Sequence, residues 1–284
     1  MSLTREWEQR IRCWIDELPR QFYEELGPVE LEGFCTFERL RPEEAARRDF
    51  EPMPVGRAWG AKWEYGWFRG RLRLPAQAAG RRVVLRLNPG KEGLVFANGA
   101  ALGARDREHA ELCLCREGRP GASYELLAEF YAGHGPFEEN VGPVPPGRIP
   151  LPEPGPAQRV VEPSSFGLWD EDAFGLWVDA LTLYQARSVL PETSLRVSEI
   201  DEGLRELCRL ADFELPREGR DLSFRAARAA LAPLLERRNG PTAPTLHVFG
   251  QSHLDLAWQW PREATVRKAA RTVSSPLALL EAYP

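Results

Sequence analysis

Residues 63–74 carry the pattern that most constrains the fold of this chain, WEYGWFRGRLRL. Aromatic residues come first, and from Arg69 to Leu74 arginine then alternates with glycine and leucine. Because successive side chains of a β-strand point to opposite faces, this alternation predicts a strand with one face buried and the other in water.

Similar signals follow further along the chain. Residues 82–87 and 93–97 are short segments rich in β-branched and other apolar residues, and Asn98-Gly99 lies between apolar neighbours. Asn and Gly both tolerate positive φ, so the pair predicts a tight hairpin. Several short strands separated by turns are typical of a β-sandwich. We therefore predict a jelly-roll-like sandwich over residues 27–173.

The remaining segments show helical spacing. At the N-terminus the apolar residues of one face are Leu3, Trp7, Ile11, Trp14, Ile15 and Leu18. This spacing predicts an amphipathic helical segment at 1–26. Residues 174–240 predict a helical linker of three helices, the first stopped by Pro191 and the third capped by Ser223. The fold class is thus a multidomain α+β chain, with a fourth region at 241–284.

Proline dominates residues 142–156, GPVPPGRIPLPEPGP, and predicts an exposed loop.

Composition excludes two classes of function. The net charge of −5 has the wrong sign for a nucleic-acid-binding protein. No apolar run approaches the roughly 20 residues of a membrane span.

Five cysteines are present, an odd and dispersed number that favours a reducing compartment over a disulfide framework. We therefore expect a cytoplasmic protein. Cys113 and Cys115 alternate on a predicted strand, with His109 nearby, and could be a metal cluster or buried strand cysteines.

The fourth region predicts a strand at Thr245–Gly250, a polar loop, and a helix from Thr265 to Tyr283. Strand, loop and helix form half of a βαβ unit, and catalytic groups gather on such loops in parallel α/β folds. The strand needs parallel neighbours that this sequence does not supply. We therefore expect the start of an incomplete α/β barrel, an N-terminal fragment, and a segment after Pro244 without packing partners.

Two side chains of this loop could bind a metal ion. In an extended segment His253 and Asp255 project to the same side, and imidazole and carboxylate are both zinc ligands. Two ligands are too few for a catalytic zinc, which usually takes three from the protein. The alternative is an Asp that caps a helix and an ordinary loop His, with Trp258 and Trp260 as core aromatics.

The string from Gly250 to Pro261, GQSHLDLAWQWP, followed by Glu263 to Lys268, resembles the opening of the catalytic domain of glycoside hydrolase family 38 α-mannosidases. It is most similar to the cytosolic and vacuolar-type branch, whose motif is Gly-x-x-His-x-Asp-x-Ala-Trp-x-Trp-Pro. Residues 91–99 and the strand at Trp67 also resemble that branch's N-terminal sandwich. The resemblance covers most of the chain.

The resemblance implies that His253 and Asp255 bind zinc or another divalent ion, and that Trp258 packs against the terminal mannose. Gln251 stands where some branches carry a His that is not a zinc ligand. The nucleophile, the acid/base and the other zinc ligands would lie downstream of Pro284. The resemblance therefore implies an α-mannosidase truncated here to its N-terminal portion, with no catalytic residue in this chain and no activity alone.

The implied partner is an α-mannoside, with neither nucleic acid nor membrane, and homo-oligomers of the full-length enzyme are left open. Two alternatives remain. The sandwich could be a stand-alone carbohydrate-binding module with Trp59, Trp63 and Trp67 as a sugar platform, although large sandwich aromatics are usually core. Otherwise another metal-dependent hydrolase could share the His-x-Asp start.

Overall fold

The computed structural model describes residues 3–134, 155–238, 240, 243–258 and 260–282. Within these ranges the chain forms two compact units. One comprises Met1–Glu24 with Trp169–Val248, and we call it the helical unit. The other comprises Glu25–Leu168 with Phe249–Pro284, and we call it the sandwich unit. Of the proline-rich segment, residues 142–154 lie outside the described ranges.

Twelve strands are present in the described ranges. They are β1 (Tyr23–Pro28), β2 (Glu32–Thr36), β3 (Glu51–Pro52), β4 (Ala58–Trp59), β5 (Tyr65–Arg73), β6 (Val83–Arg86), β7 (Gly93–Ala97), β8 (Ala100–Arg105), β9 (Glu111–Cys115), β10 (Ser123–Tyr131), β11 (Arg159–Val160) and β12 (Ser165–Trp169). The helices of the same ranges are α1 (Arg5–Glu17), α2 (Pro42–Ala45), α3 (Glu171–Val189), α4 (Leu195–Leu210), α5 (Arg217–Leu235) and α6 (Thr265–Ala282).

Two sheets form the sandwich. The larger has the strand order β3-β2-β5-β10-β7-β8, and the smaller has the order β1-β12-β6-β9. β5, predicted from its alternation, pairs antiparallel with β10 along its whole length, from Tyr65 opposite Tyr131 to Arg73 opposite Ser123. The two remaining strands, β11 and β4, form a separate two-stranded sheet. The predicted jelly-roll-like sandwich is confirmed.

The core between the sheets follows the predicted alternation. Phe68 and Leu72 of β5 and Phe130 of β10 are buried, whereas Arg69 and Arg71 between them are exposed. Phe68 and Phe130 meet edge to face with ring centroids 5.9 Å apart. Burial of such rings is the main stabilising contribution in a core of this size.

The Asn98-Gly99 turn joins β7 to β8 as predicted. Asn98 has φ 51° and Gly99 has φ 81°, the left-handed values that a two-residue hairpin turn of this kind requires. The Asn98 backbone N–H donates to the Glu125 carbonyl oxygen at 2.8 Å, and its side-chain oxygen accepts from the Glu125 N–H at 2.9 Å. The turn is thereby tied to the neighbouring strand β10.

The helical unit has its own core, built from α1, α3, α4 and α5. Its buried members include Ile11 and Ile15 from α1, Leu176 from α3, Leu204 from α4 and Phe224 from α5. The predicted amphipathic helix at the N-terminus is therefore present. It packs with the three later helices, and the four helices share one core.

The third helix of that region begins earlier than predicted. α5 starts at Arg217, and Ser223 lies inside it rather than at its N-cap. The Ser223 hydroxyl donates to the Arg220 carbonyl oxygen at 2.7 Å and accepts from the Asp212 N–H at 3.1 Å. Serine can satisfy its hydroxyl within a helix in this way, so its presence alone does not mark a helix start.

The predicted strand at Thr245–Gly250 is wrong. Residues 243–255 contain neither helix nor strand, and Leu246, Val248 and Phe249 are exposed. An apolar run forms a strand only where a neighbouring strand accepts its backbone hydrogen bonds. The predicted helix is confirmed over Thr265–Ala282 as α6, which packs on β8 and β7 of the larger sheet. The expectation that this helix lacks packing partners is therefore also wrong.

None of the helices in the described ranges is both long and apolar enough to cross a membrane.

Candidate functional site

The loop before α6 brings the two predicted metal-binding side chains together. His253 Nε2 lies 3.4 Å from Asp255 Oδ1, as expected for side chains two positions apart in an extended segment. Both are accessible, with 75% of the His253 side chain and 47% of the Asp255 side chain exposed. Gln251 is also exposed.

The separation of these two atoms fits one edge of a metal site. Two ligands about 2.0–2.2 Å from a tetrahedral ion lie roughly 3.4 Å from each other. The chemistry of the donors, one imidazole nitrogen and one carboxylate oxygen, fits zinc as well. Within the described ranges no group of three or more His, Cys, Asp or Glu residues could hold a metal ion. Within the described residues the pair therefore offers two donor atoms without a third beside them.

Trp258, the predicted sugar-binding residue, lies beside this pair in the sequence and is 70% exposed. Its ring packs edge to face on Trp260, with centroids 6.1 Å apart and an interplanar angle of 81°. The alternative in which Trp258 is a core aromatic is wrong. An exposed indole of this kind offers the apolar face on which a sugar ring can stack.

Trp260 and Thr265 connect the loop to α6. Trp260 Nε1 donates to Thr265 Oγ1 at 3.3 Å, and the same hydroxyl donates to the carbonyl oxygen of Leu256. Thr265 is the first residue of α6. The position of the loop segment 256–260 therefore depends on the position of the helix.

α6 is held on the larger sheet by a group of charged residues that we call the ionic cluster. Its members are Glu92, Glu129, Arg267, Lys268 and Arg271. Lys268 Nζ donates to Glu92 Oε1 at 3.0 Å, and Arg271 Nε donates to the same oxygen at 2.9 Å. An Arg267 guanidinium nitrogen lies 3.0 Å from Glu129 Oε1.

Two tyrosines and Trp260 surround these charges. The Arg267 guanidinium lies over the Tyr65 ring, 4.0 Å from its centroid, and Lys268 Nζ lies over the Trp260 ring at 4.5 Å. Lys268 also lies 5.7 Å from the centroid of Tyr131. The cations are therefore placed over aromatic faces, whose negative quadrupole attracts them.

The two carboxylates of the ionic cluster differ in their pKa. Burial opposes ionisation of Glu92, but the Arg271 and Lys268 charges and hydrogen bonds outweigh burial and hold its pKa below the usual value. Glu129 is more deeply buried, and burial raises its pKa despite the nearby Arg267 and Arg271. The pKa values of the two carboxyl groups are therefore shifted in opposite directions.

The sequence did not predict the ionic cluster. Glu92 and Lys268 both lie in strings that resemble α-mannosidases, but they are 176 positions apart. Spacing along a chain gives no contact over such a distance unless the packing of α6 is known. The one available signal is the basic run at 267–271 on a single helix face.

The other candidates do not form sites. Trp59 and Trp67 are buried, so the alternative of a three-tryptophan sugar platform is wrong, and these two residues belong to the core, as is usual for large sandwich aromatics. His109 Nδ1 lies 2.9 Å from Asp106 Oδ1. Cys113 and Cys115 are partly buried on β9, in agreement with strand cysteines rather than a metal cluster.

Comparison with known proteins agrees with this architecture. Residues 28–149 match the family model described as the α-mannosidase jelly-roll domain. The chain is 28% identical to α-mannosidase 2C1 of Mus musculus over 256 residues, and 28% identical to α-mannosidase 2C1 of Homo sapiens over 258 residues. Each alignment covers 89% of this chain but 24% of the relative.

Among solved structures, a β-glucuronidase of Faecalibacterium prausnitzii matches 52% of this chain and 31% of its own, with 17% identity and a TM-score of 0.36. A TM-score this low supports no inference about function. The sequence matches, by contrast, agree with the loop motif in pointing to one family. Residues 28–149 thus carry the α-mannosidase jelly-roll domain, and over most of its length the chain is similar to α-mannosidases.

Proposed function

We propose that this chain is part of a retaining α-mannosidase that hydrolyses terminal α-mannosides with the help of zinc or a similar divalent ion. The observation that carries the proposal is the loop at 253–258. It presents His253 and Asp255 with their ligand atoms 3.4 Å apart and Trp258 exposed beside them, in a chain related to α-mannosidases.

Each of these residues has a proposed role. His253 and Asp255 would hold the ion, and Trp258 would stack on the terminal mannose. When bound, the ion supplies Lewis-acid chemistry and orients sugar hydroxyls. Because the chain contributes two ligands, further ligands have to come from elsewhere in the functional enzyme.

A retaining glycosidase also needs a nucleophile and an acid/base, two carboxyl groups about 5–5.5 Å apart. We assign neither to this chain. The chain spans 24% of the length of the α-mannosidases it matches. The activity is therefore proposed for a longer protein that contains this sequence, and we expect the 284-residue chain alone to show no turnover.

We also propose that the protein works in the cytoplasm. All five cysteines lie in the described ranges, and none of them forms a disulfide. Free cysteines, one of them exposed, are typical of proteins in a reducing compartment.

The test is an assay of the longest protein that the reading frame around this sequence encodes. An aryl α-mannoside should be hydrolysed with retention, and removal of metal with a chelator should abolish turnover until zinc is restored. An aryl β-glucoside serves as the control substrate. Full activity after exhaustive metal removal would contradict the role of the ion, and no α-mannoside hydrolysis would contradict the proposed function.

One observation favours a second function, carbohydrate binding by the sandwich itself. A groove of about 880 Å³ lies on the exposed face of the larger sheet and includes Phe50, Phe96, Arg69 and Glu125. Aromatic and planar polar groups are suited to sugars. Calorimetric titration of the 284-residue chain with mannose oligosaccharides tests this function separately from catalysis.

A further inference from the structure

The ionic cluster links the sandwich to the loop that carries the candidate site. On the sheet side, Glu92 lies directly before β7 and Glu129 lies on β10. On the helix side, Arg267, Lys268 and Arg271 lie within two turns of the start of α6. The ion pairs therefore fix the end of the helix that is joined to the loop.

Lys268 is the residue that connects the two. Its Nζ donates to both carboxylate oxygens of Glu92, at 3.0 and 3.3 Å. The same Nζ lies 4.5 Å from the ring centroid of Trp260. Trp260 in turn packs against Trp258 and donates to Thr265, whose hydroxyl donates to Leu256, the residue after Asp255. Contacts therefore run without a break from Glu92, through Lys268 and Trp260, to Trp258 and to the residue that follows Asp255.

Burial makes this connection strong. Only 14% of the Lys268 side chain and 4% of the Arg271 side chain are exposed. Removing one partner of a buried ion pair leaves the other charge buried without compensation, which is strongly destabilising. Loss of the Glu92 charge would remove this ion pair from the buried Lys268 and leave Arg271 with Glu129, 3.9 Å away.

We propose that Glu92 and Lys268 are positioning residues, through which the jelly-roll domain holds the loop of His253, Asp255 and Trp258 in place. The proposal rests on the proposed function for the role of the loop. The mechanical link itself does not depend on catalysis. In this arrangement the sandwich is a structural part of the active centre rather than a separate module.

The test uses hydrogen–deuterium exchange of the 284-residue chain in two variants, Glu92→Gln and Lys268→Met. Lys268→Met changes only the helix side, so it leaves the sandwich core intact. We expect amides of α6 to exchange roughly tenfold faster in both variants, because the helix loses its anchor on the sheet. Amides of β5 and β10 should be unchanged.

The matched control is Glu125→Gln. Glu125 lies four residues before Glu129 on β10 and pairs with Arg71, but 72% of its side chain is exposed. It should change neither region, since exposed ion pairs contribute little.

A zinc titration of the same variants gives a second readout. We expect zinc to bind the 284-residue chain weakly, and roughly tenfold more weakly in Lys268→Met, as for other residues that orient metal ligands. Unchanged exchange of α6 in both variants, unchanged zinc affinity in Lys268→Met, or an equal effect of Glu125→Gln would overturn the proposal. Neither readout requires mannosidase turnover, so failure here is distinct from failure of the proposed function.

Discussion

At Gly99 the backbone adopts φ 81°, and a Cβ built there would meet no atom within 4 Å. Replacing Gly99 with Ala should therefore cost only the strain of a left-handed backbone, about 1 kcal/mol of unfolding free energy. Urea denaturation measures this loss. Gly155→Ala is the control, because that position is equally open but has no positive φ. Equal effects at both positions would show that the turn does not require glycine.

The loop provides a second test at single residues. Asp255→Ala in the longer protein should lower bound zinc by roughly tenfold or more, because it removes a charged ligand. Gln251→Ala is the matched control, since Gln251 is exposed on the same loop and has no proposed role. Metal content of the purified variants decides the matter. Equal zinc retention in both variants would count against Asp255 as a ligand.

For single residues, the sequence predicted the structure correctly wherever that structure depends on near neighbours in the chain. The alternation at Arg69–Leu74 and the Asn98-Gly99 pair depend on strand pleat and turn geometry, and both predictions are confirmed. The side-by-side placement of His253 and Asp255 is local as well. The pairing of Glu92 with Lys268 depends on long-range packing, which no spacing rule supplies.

Among the elements, α1 shows what periodicity predicts and what only packing determines. Its apolar spacing predicted a helix, but not the partners that Ile11 and Ile15 find in α3, α4 and α5. The strand predicted at Thr245–Gly250 is absent because a strand needs neighbouring strands for its backbone hydrogen bonds. A helix, by contrast, forms its backbone hydrogen bonds within itself. Helices were therefore easier to predict than this strand.

Because Ile11 is fully buried, Ile11→Ala should destabilise the helical unit by about 2–5 kcal/mol. Hydrogen exchange should accelerate in α3, α4 and α5, and much less in β5 and β10 of the sandwich unit. Leu222→Ala is the control, since Leu222 on α5 is 61% exposed. Faster exchange confined to α1 would show that this helix is not part of the shared core.

The contributions of Glu92 and Glu129, the two carboxylates under α6, to the free energy of unfolding should depend on pH with opposite signs. The pKa of Glu92 is lowered in the folded state, so its contribution to stability is present above the unfolded value of about 4.3 and is lost as pH falls through the folded pKa. The pKa of Glu129 is raised, so its ionisation opposes folding, increasingly as pH rises through the folded pKa.

Urea midpoints at several pH values between 3 and 7 should show this contrast. The advantage of the wild type over Glu92→Gln should grow as pH rises, whereas its advantage over Glu129→Gln should shrink. Parallel pH dependence in the two variants would contradict the assigned directions.

For the whole molecule, the order of the chain through the two units has a consequence for proteolysis. The chain passes between the units three times, after Glu24, after Leu168 and after Val248. Residues 243–255 have no helix or strand, and several large apolar side chains there are exposed. Proteases cut first at such segments, because the backbone must fit extended into their active site.

We therefore expect limited proteolysis of the 284-residue chain to cut first within 243–252, leaving the sandwich strands and α3, α4 and α5 intact. The C-terminal piece carrying α6 should stay bound to the rest under native conditions, since the ionic cluster and the contacts with β8 hold it. It should separate in urea, and mass spectrometry of both fractions identifies the pieces. In Lys268→Met the piece should dissociate or be degraded sooner, while Glu125→Gln should behave as the wild type. Digestion of α6 together with the loop in the wild-type chain would show that the helix is not docked on the sandwich.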